Sequence, residues 1–216
     1  MDCFLGQVPL TPNIPAVHGC ASLCLTTDSC RLYCLRFKVT GNECLMFSAI
    51  VTQNWNGDPA LNVTFDVCYS TWYHSGDITD LVIGTSGSSM YEPFTTPDKA
   101  VDGFICKAFT YYCFHSDATP TEPSWWRADL GAPRSVSTIM VFPRNDGFDV
   151  PHFNNVFITL GNSPAYSDNP IFAHVLQGTY GEVMEFTVTS PMIGRYLEFK
   201  TDSTLYLLIC EVKIIS

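Results

Sequence analysis

The side chains best placed to do chemistry in this chain are His115 and a cluster some thirty positions on, Arg144, Asp146, Asp149 and His152. Imidazole exchanges protons near neutral pH, a carboxylate orients and charges it, and a guanidinium stabilises an anion. These five residues therefore form a plausible acid/base set. The frameworks that usually carry such chemistry are missing, because the sequence holds no P-loop, no dinucleotide glycine motif and no nucleophile elbow. The other chemical resource is sulfur. The chain has 10 cysteines in 216 residues, and most of them fall at or before Cys68. Cys20, Cys24, Cys30, Cys34 and Cys44 lack the paired two-residue spacing and the His partners of structural zinc sites, so they read as a disulfide framework from an oxidising compartment.

These residues need elements to hold them. The prolines Pro9, Pro12 and Pro15 favour extended chain and block a helix until Ala16. From Ala16 to Thr27, Val17, Cys20, Leu23 and Cys24 share one helical face, which predicts a helix cross-linked by its cysteines to neighbouring strands. Short strands are expected at Leu32 to Phe37, Glu43 to Phe47 and Val63 to Tyr69, separated by turn-formers at Thr40-Gly41-Asn42 and Asn56-Gly57-Asp58. The Ser/Gly-rich stretch from Ile83 to Ser89 offers turns and little to bury, and is read as the boundary between a cysteine-rich domain at residues 1–80 and a second domain at 84–216. Beyond it, β-rich runs recur at Trp125 to Leu130, Val136 to Phe142, Asn155 to Leu160, Ile171 to Val175, Val183 to Val188, Arg195 to Lys200 and Leu207 to Ile215. About seven strands with regular turn signals make a β-sandwich. The expected fold is therefore all-β in the C-terminal part, with a small α+β disulfide-rich domain before it.

Composition limits the partners. Apolar residues make up 46% and charged residues 15%, with 21 acidic against 11 basic side chains and a net charge of −10. Scattered bases on an acidic chain repel phosphate backbones and anionic lipid, so nucleic acid is not an expected partner. No run of about 18 apolar residues is present to cross a bilayer, so membrane insertion is not expected either. Asn62-Val63-Thr64 is a glycosylation sequon and agrees with secretion. Met1-Asp2-Cys3-Phe4 has neither a basic start nor a long apolar stretch, and is expected to open a mature form with an added Met.

Several strings in the second half occur together in a recognisable order: Lys99-Ala100-Val101-Asp102-Gly103, Cys113-Phe114-His115-Ser116, Ser124-Trp125-Trp126-Arg127-Ala128-Asp129-Leu130-Gly131, Arg144-Asn145-Asp146, Gly194-Arg195-Tyr196 and Cys210-Glu211-Val212. Their combination resembles the F-type, fucose-binding lectins of the discoidin-like superfamily. In the first part, the spacing of Cys20, Cys24, Cys30 and Cys34 followed by Glu43-Cys44-Leu45 resembles the PAN/apple modules, small adhesion domains that bind proteins or carbohydrates.

The lectin resemblance implies a β-jellyroll with a sugar pocket at one end. A His and two Arg reach the sugar oxygens there, because charged planar donors make short, directed hydrogen bonds, while an apolar surface takes the flat face of the ring. His115 and Arg144 match two of the three, and Asp146 is placed to orient Arg144. The third position falls nearest His152. The vicinal cysteines that normally lie against the sugar are replaced by Gly147-Phe148, so Phe148 is the expected apolar face. A neutral His donates one hydrogen bond where Arg donates two, which implies an altered sugar preference and pH-sensitive affinity near about 6.5. The resemblance also implies a structural calcium ion held by the carboxylates of Asp102 and Glu211 and by carbonyls at Lys99, Phe104, Tyr112 and Cys210. The alternative for those carboxylates is that Asp102 caps a turn and Glu211 pairs with a base such as Lys213. A disulfide between Cys113 and Cys210 is implied too, leaving Cys106 to bridge to the first domain.

Three functions follow. The foremost is a secreted lectin recognising fucose or a related sugar on glycans, which needs no catalysis and gains avidity if the chain forms oligomers. The others are a protein-protein adhesion module with a degenerate sugar site, and an enzyme that has turned the pocket to acid/base chemistry through His115, His152, Arg144, Asp146 and Asp149.

Overall fold

The computed structural model describes residues 4–11, 14–27, 30–51, 66–70, 74–105, 112–144, 153–179 and 183–216. In chain order the first elements are β1 (Phe4–Pro9), α1 (Ala16–Thr26), β2 (Leu32–Arg36), β3 (Glu43–Phe47), β4 (Ile50–Val51), β5 (Val67–Ser70), β6 (Gly84–Gly87) and β7 (Phe104–Ile105). There follow β8 (Phe114–His115), β9 (Trp125–Phe142), β10 (Val156–Gly161), β11 (Ile171–Val175), β12 (Met184–Thr201), β13 (Leu208–Ile209) and β14 (Glu211–Ile215). The chain divides into two compact units, Met1–Tyr73 with Gly103–Ala108, and His74–Asp102 with Phe109–Ser216.

In the first unit β1, β3, β2 and β5 form an antiparallel sheet in that order, and β4 pairs with β7. Helix α1 starts directly after Pro15, whose extended backbone cannot join it, and buries Cys20 and Cys24 one turn apart. Cys20 is bonded to Cys44 on β3, Cys24 to Cys30 just beyond the helix, and Cys34 on β2 to Cys68 on β5. The helix is thus stapled to the sheet once, by its first cysteine, and its second closes the turn that follows. A core this small needs such staples, each contributing on the order of 2–4 kcal/mol.

The second unit is built on a six-stranded sheet in which β11, β10, β12, β9 and β14 lie side by side, with β6 pairing along another part of β9. A short separate ladder joins β8 to β13. Trp126, Ala128, Leu130, Val156, Ile158, Leu160, Leu197, Phe199, Val212 and Ile214, all buried, alternate along their strands and form the core with Phe114 and Ile209.

Two differences from the sequence reading have physical reasons. The runs expected at Trp125 to Leu130 and Val136 to Phe142 are one strand, β9, and those at Val183 to Val188 and Arg195 to Lys200 are one strand, β12. Turn-formers bend these strands without ending them: Gly131 takes a left-handed φ of 73°, and the β9–β12 register slips at Thr187/Met192 and Gly194/Tyr196. The Ser/Gly stretch after Ile83 is also a strand, with Gly84 to Gly87 pairing with Asp129 to Trp126. Its small residues serve close packing: a Cβ on Gly87 would lie 2.8 Å from the Phe114 ring.

Candidate functional site

β8 contains only Phe114 and His115, and Leu208 lies opposite His115 in its ladder with β13. Such a short pair does not hold itself, and three supports surround it. The Cys113–Cys210 disulfide closes it covalently, with both sulfurs in a buried cluster with Leu208. Ser116 N donates to Leu207 O (3.0 Å), Leu207 N donates to Ser116 Oγ (2.8 Å), and that hydroxyl donates to Ser124 Oγ (2.9 Å). From the other side, Tyr91 N (2.9 Å) and Thr95 Oγ1 (3.1 Å) both donate to the His115 carbonyl.

The His115 imidazole is only 7% exposed. It packs against two tyrosine rings, Tyr206 nearly parallel at 5.1 Å and Tyr91 tilted at 4.8 Å. Its Nδ1 lies 2.5 Å from the Ser116 carbonyl. A carbonyl only accepts, so Nδ1 carries the proton, and Nε2 of the neutral ring is an acceptor. Burial pushes the His115 pKa below the ordinary imidazole value; the Ser116 bond and Asp117 oppose this, and the charge of Arg144 adds to it. The Arg144 charge also acts on Tyr206, whose phenol is raised by burial. Tyr91 and Tyr206 therefore enclose the His115 ring, and the charge of Arg144 is felt at both His115 and Tyr206. The two tyrosines carry no local sequence signal, since they come from a turn and from the approach to β13.

Asp146, Phe148, Asp149 and His152 lie outside the described residues, as do Asn62, Cys3 and Cys106. The remaining motif strings have structural work. Trp126 is fully buried, donates from Nε1 to Pro97 O (2.8 Å) and stacks on Phe199. Asp129 accepts from Gly131 N (2.8 Å), fixing the bend in β9, and holds Arg195 through two hydrogen bonds of 2.7 and 2.8 Å. Arg127 donates from Nε to the buried Glu198 (2.6 Å) and lies over the Trp125 ring.

Each of the carboxylates expected to hold calcium has a lysine beside it. Glu211 Oε1 is 2.7 Å from Lys213 Nζ, and Asp102 Oδ2 is 3.4 Å from Lys99 Nζ. Phe104, expected as a carbonyl donor, lies in β7, in the ladder with β4. A calcium ion needs about six to eight oxygens with enough negative charge to replace its water. Among the described residues no three His, Cys, Asp or Glu side chains gather as metal ligands. An ammonium beside each carboxylate competes with a calcium ion for its negative charge.

The sheet and the short ladder give the second unit the β-sandwich architecture of discoidin-like sugar-binding modules, and residues 99–199 match the model of the NedA-like, galactose-binding domain. Among named proteins the chain is similar to fucolectins. It is 28% identical over 142 residues to fucolectin-5 of Anguilla japonica, covering 64% of this chain and 72% of the relative. The fucolectin from the serum of striped bass, Morone saxatilis, superposes with a TM-score of 0.59 at 25% identity, over 66% of this chain and 50% of its own. A fucose-binding module of Streptococcus pneumoniae shares the fold with a TM-score of 0.54 at 23% identity, over 67% of this chain and 99% of its own. The chain thus spans half the length of the bass lectin and 65% of fucolectin-6 of Anguilla japonica.

Proposed function

We propose that the second unit binds a sugar ring of the fucose class on glycans, and that the protein acts as a secreted lectin. The observation that carries this is the protonation state built into His115: Nδ1 tied to a carbonyl, Nε2 left as an acceptor, and a permanent cation, Arg144, acting on the same ring. A hydroxyl suits that pair, because it donates to Nε2 while accepting from a guanidinium. A carboxylate or phosphate has no proton to donate and would draw a proton onto the imidazole, against the effect of burial. The tyrosine rings beside His115 suit the apolar face of a sugar. In this proposal Asp146 orients Arg144, Phe148 adds a second apolar face, and His152 stands at the third donor position. Four disulfides among the described residues support an oxidising, extracellular setting.

The test is calorimetric titration with L-fucose, D-galactose and fucosylated oligosaccharides. Saturable binding that disappears in His115→Ala and Arg144→Ala is expected. An absence of heat with every sugar would refute the proposal and favour an adhesion module.

A further inference from the structure

We propose that the second unit carries its own counter-cation: the buried Lys213 ammonium takes the charge-balancing place that calcium holds in the lectins it resembles, so the unit keeps its fold without calcium. Lysine is almost never fully buried unless paired, yet Lys213 is 1% exposed and Glu211 beside it is 0% exposed. The two are separated by one residue on β14, so both side chains leave the same face of the strand, while Val212 and Ile214 enter the core from the other. An ionised carboxylate enclosed like this is very costly unless a cation meets it. Lys213 Nζ does so at 2.7 Å, and lies 3.9 Å from Asp77 as well. Asp77 is fixed in turn, accepting from Thr79 N (2.9 Å) and Thr79 Oγ1 (2.6 Å), and the Thr79 hydroxyl accepts from Ile214 N on β14 (2.9 Å). The cation is thus embedded in the ladder it stabilises. Asp102, the other carboxylate expected to meet calcium, is paired with Lys99. A divalent ion entering here would have to displace two ammonium groups, one of them on a side chain only 1% exposed.

The full chain is melted in excess EDTA and in about 10 mM calcium, a concentration above the weakest extracellular calcium sites. The expected result is one melting temperature under both conditions and no calorimetric heat on calcium addition. K213M leaves Glu211 enclosed without its cation and should melt roughly 10 °C lower. The double variant E211Q/K213M, which removes both charges, should recover most of that loss. A wild-type melting temperature that rises saturably with calcium overturns the proposal, and so does a K213M variant as stable as wild type. Should K213M fail to fold, the wild-type comparison decides alone.

Discussion

Removing the Cys113–Cys210 disulfide by the paired change to alanine tests whether this bond is what holds His115 in place. The cysteines are 97 residues apart, and no other disulfide among the described cysteines has both ends inside that loop. On the loop-entropy relation, opening a loop of that length releases about 4.7 kcal/mol of denatured-state entropy at 25 °C. The same relation applied to Cys24–Cys30, separated by 6 residues, gives about 2.4 kcal/mol. C113A/C210A should therefore cost about twice what C24A/C30A costs, before the void left in the buried Cys113, Leu208 and Cys210 cluster adds to it. Urea unfolding followed by far-ultraviolet circular dichroism reads the loss in either unit, and the buried Trp126, stacked on Phe199 at 5.3 Å, adds a fluorescence report on the second. A loss below about 2 kcal/mol, or equal losses for the two pairs, would refute this reasoning. Sugar affinity should fall in C113A/C210A and stay at the wild-type level in C24A/C30A.

Three other outcomes are expected. Because burial lowers the His115 pKa, the unfolded chain takes up the proton first; stability should fall as pH drops below about 6.5 and be unaffected by this group above it, while sugar affinity should fall only at lower pH, where the folded imidazole itself is protonated. Urea midpoints from about pH 8 to pH 5 should show that slope in wild type and lose it in His115→Gln; equal slopes would contradict it. Arg127→Met leaves Glu198, 3% exposed and already raised by burial, without its strongest partner, and should cost about 3 kcal/mol near neutrality and less at acid pH, where Glu198 is protonated. Gly194→Ala places a Cβ 2.6 Å from Gly161 N and 2.7 Å from Leu160 Cγ, so thermal unfolding should show a loss of about 1–3 kcal/mol, and an unchanged melting temperature would disprove the close approach of β12 and β10.

The alternation of apolar residues made the strands legible, and the cysteines at i and i+4 made α1 legible, because both patterns follow from the local geometry of the backbone. The length of β9 and β12 was not legible, since glycine and proline punctuate a sequence whether they end a strand or only bend it. Gly84 to Gly87 misled for a related reason: smallness demanded by the neighbouring Phe114 ring looks, in sequence, like smallness that gives freedom. His115 and Arg144 stood out through the strings around them. Tyr91 and Tyr206 did not, because they reach the imidazole from distant segments and only the folded chain brings them there. The Lys213 pairing with Glu211 was visible as one of two options, and sequence alone could not choose between a lysine and a metal as the partner of a carboxylate.

The ladder between the two ends of the second unit sets the order of events during synthesis. Ile78 N donates to Ile214 O, Ser216 N donates to Gly76 O, and β14 completes the sheet along Thr138 to Phe142 of β9. Until residue 216 has cleared the ribosomal tunnel, that stretch of β9 has an open edge and the core lacks Val212 and Ile214. Nor can Cys113 find Cys210 before then. The sandwich cannot be finished piece by piece as it emerges; it waits for its last strand, and in that interval its apolar face is an aggregation hazard that a chaperone would have to cover.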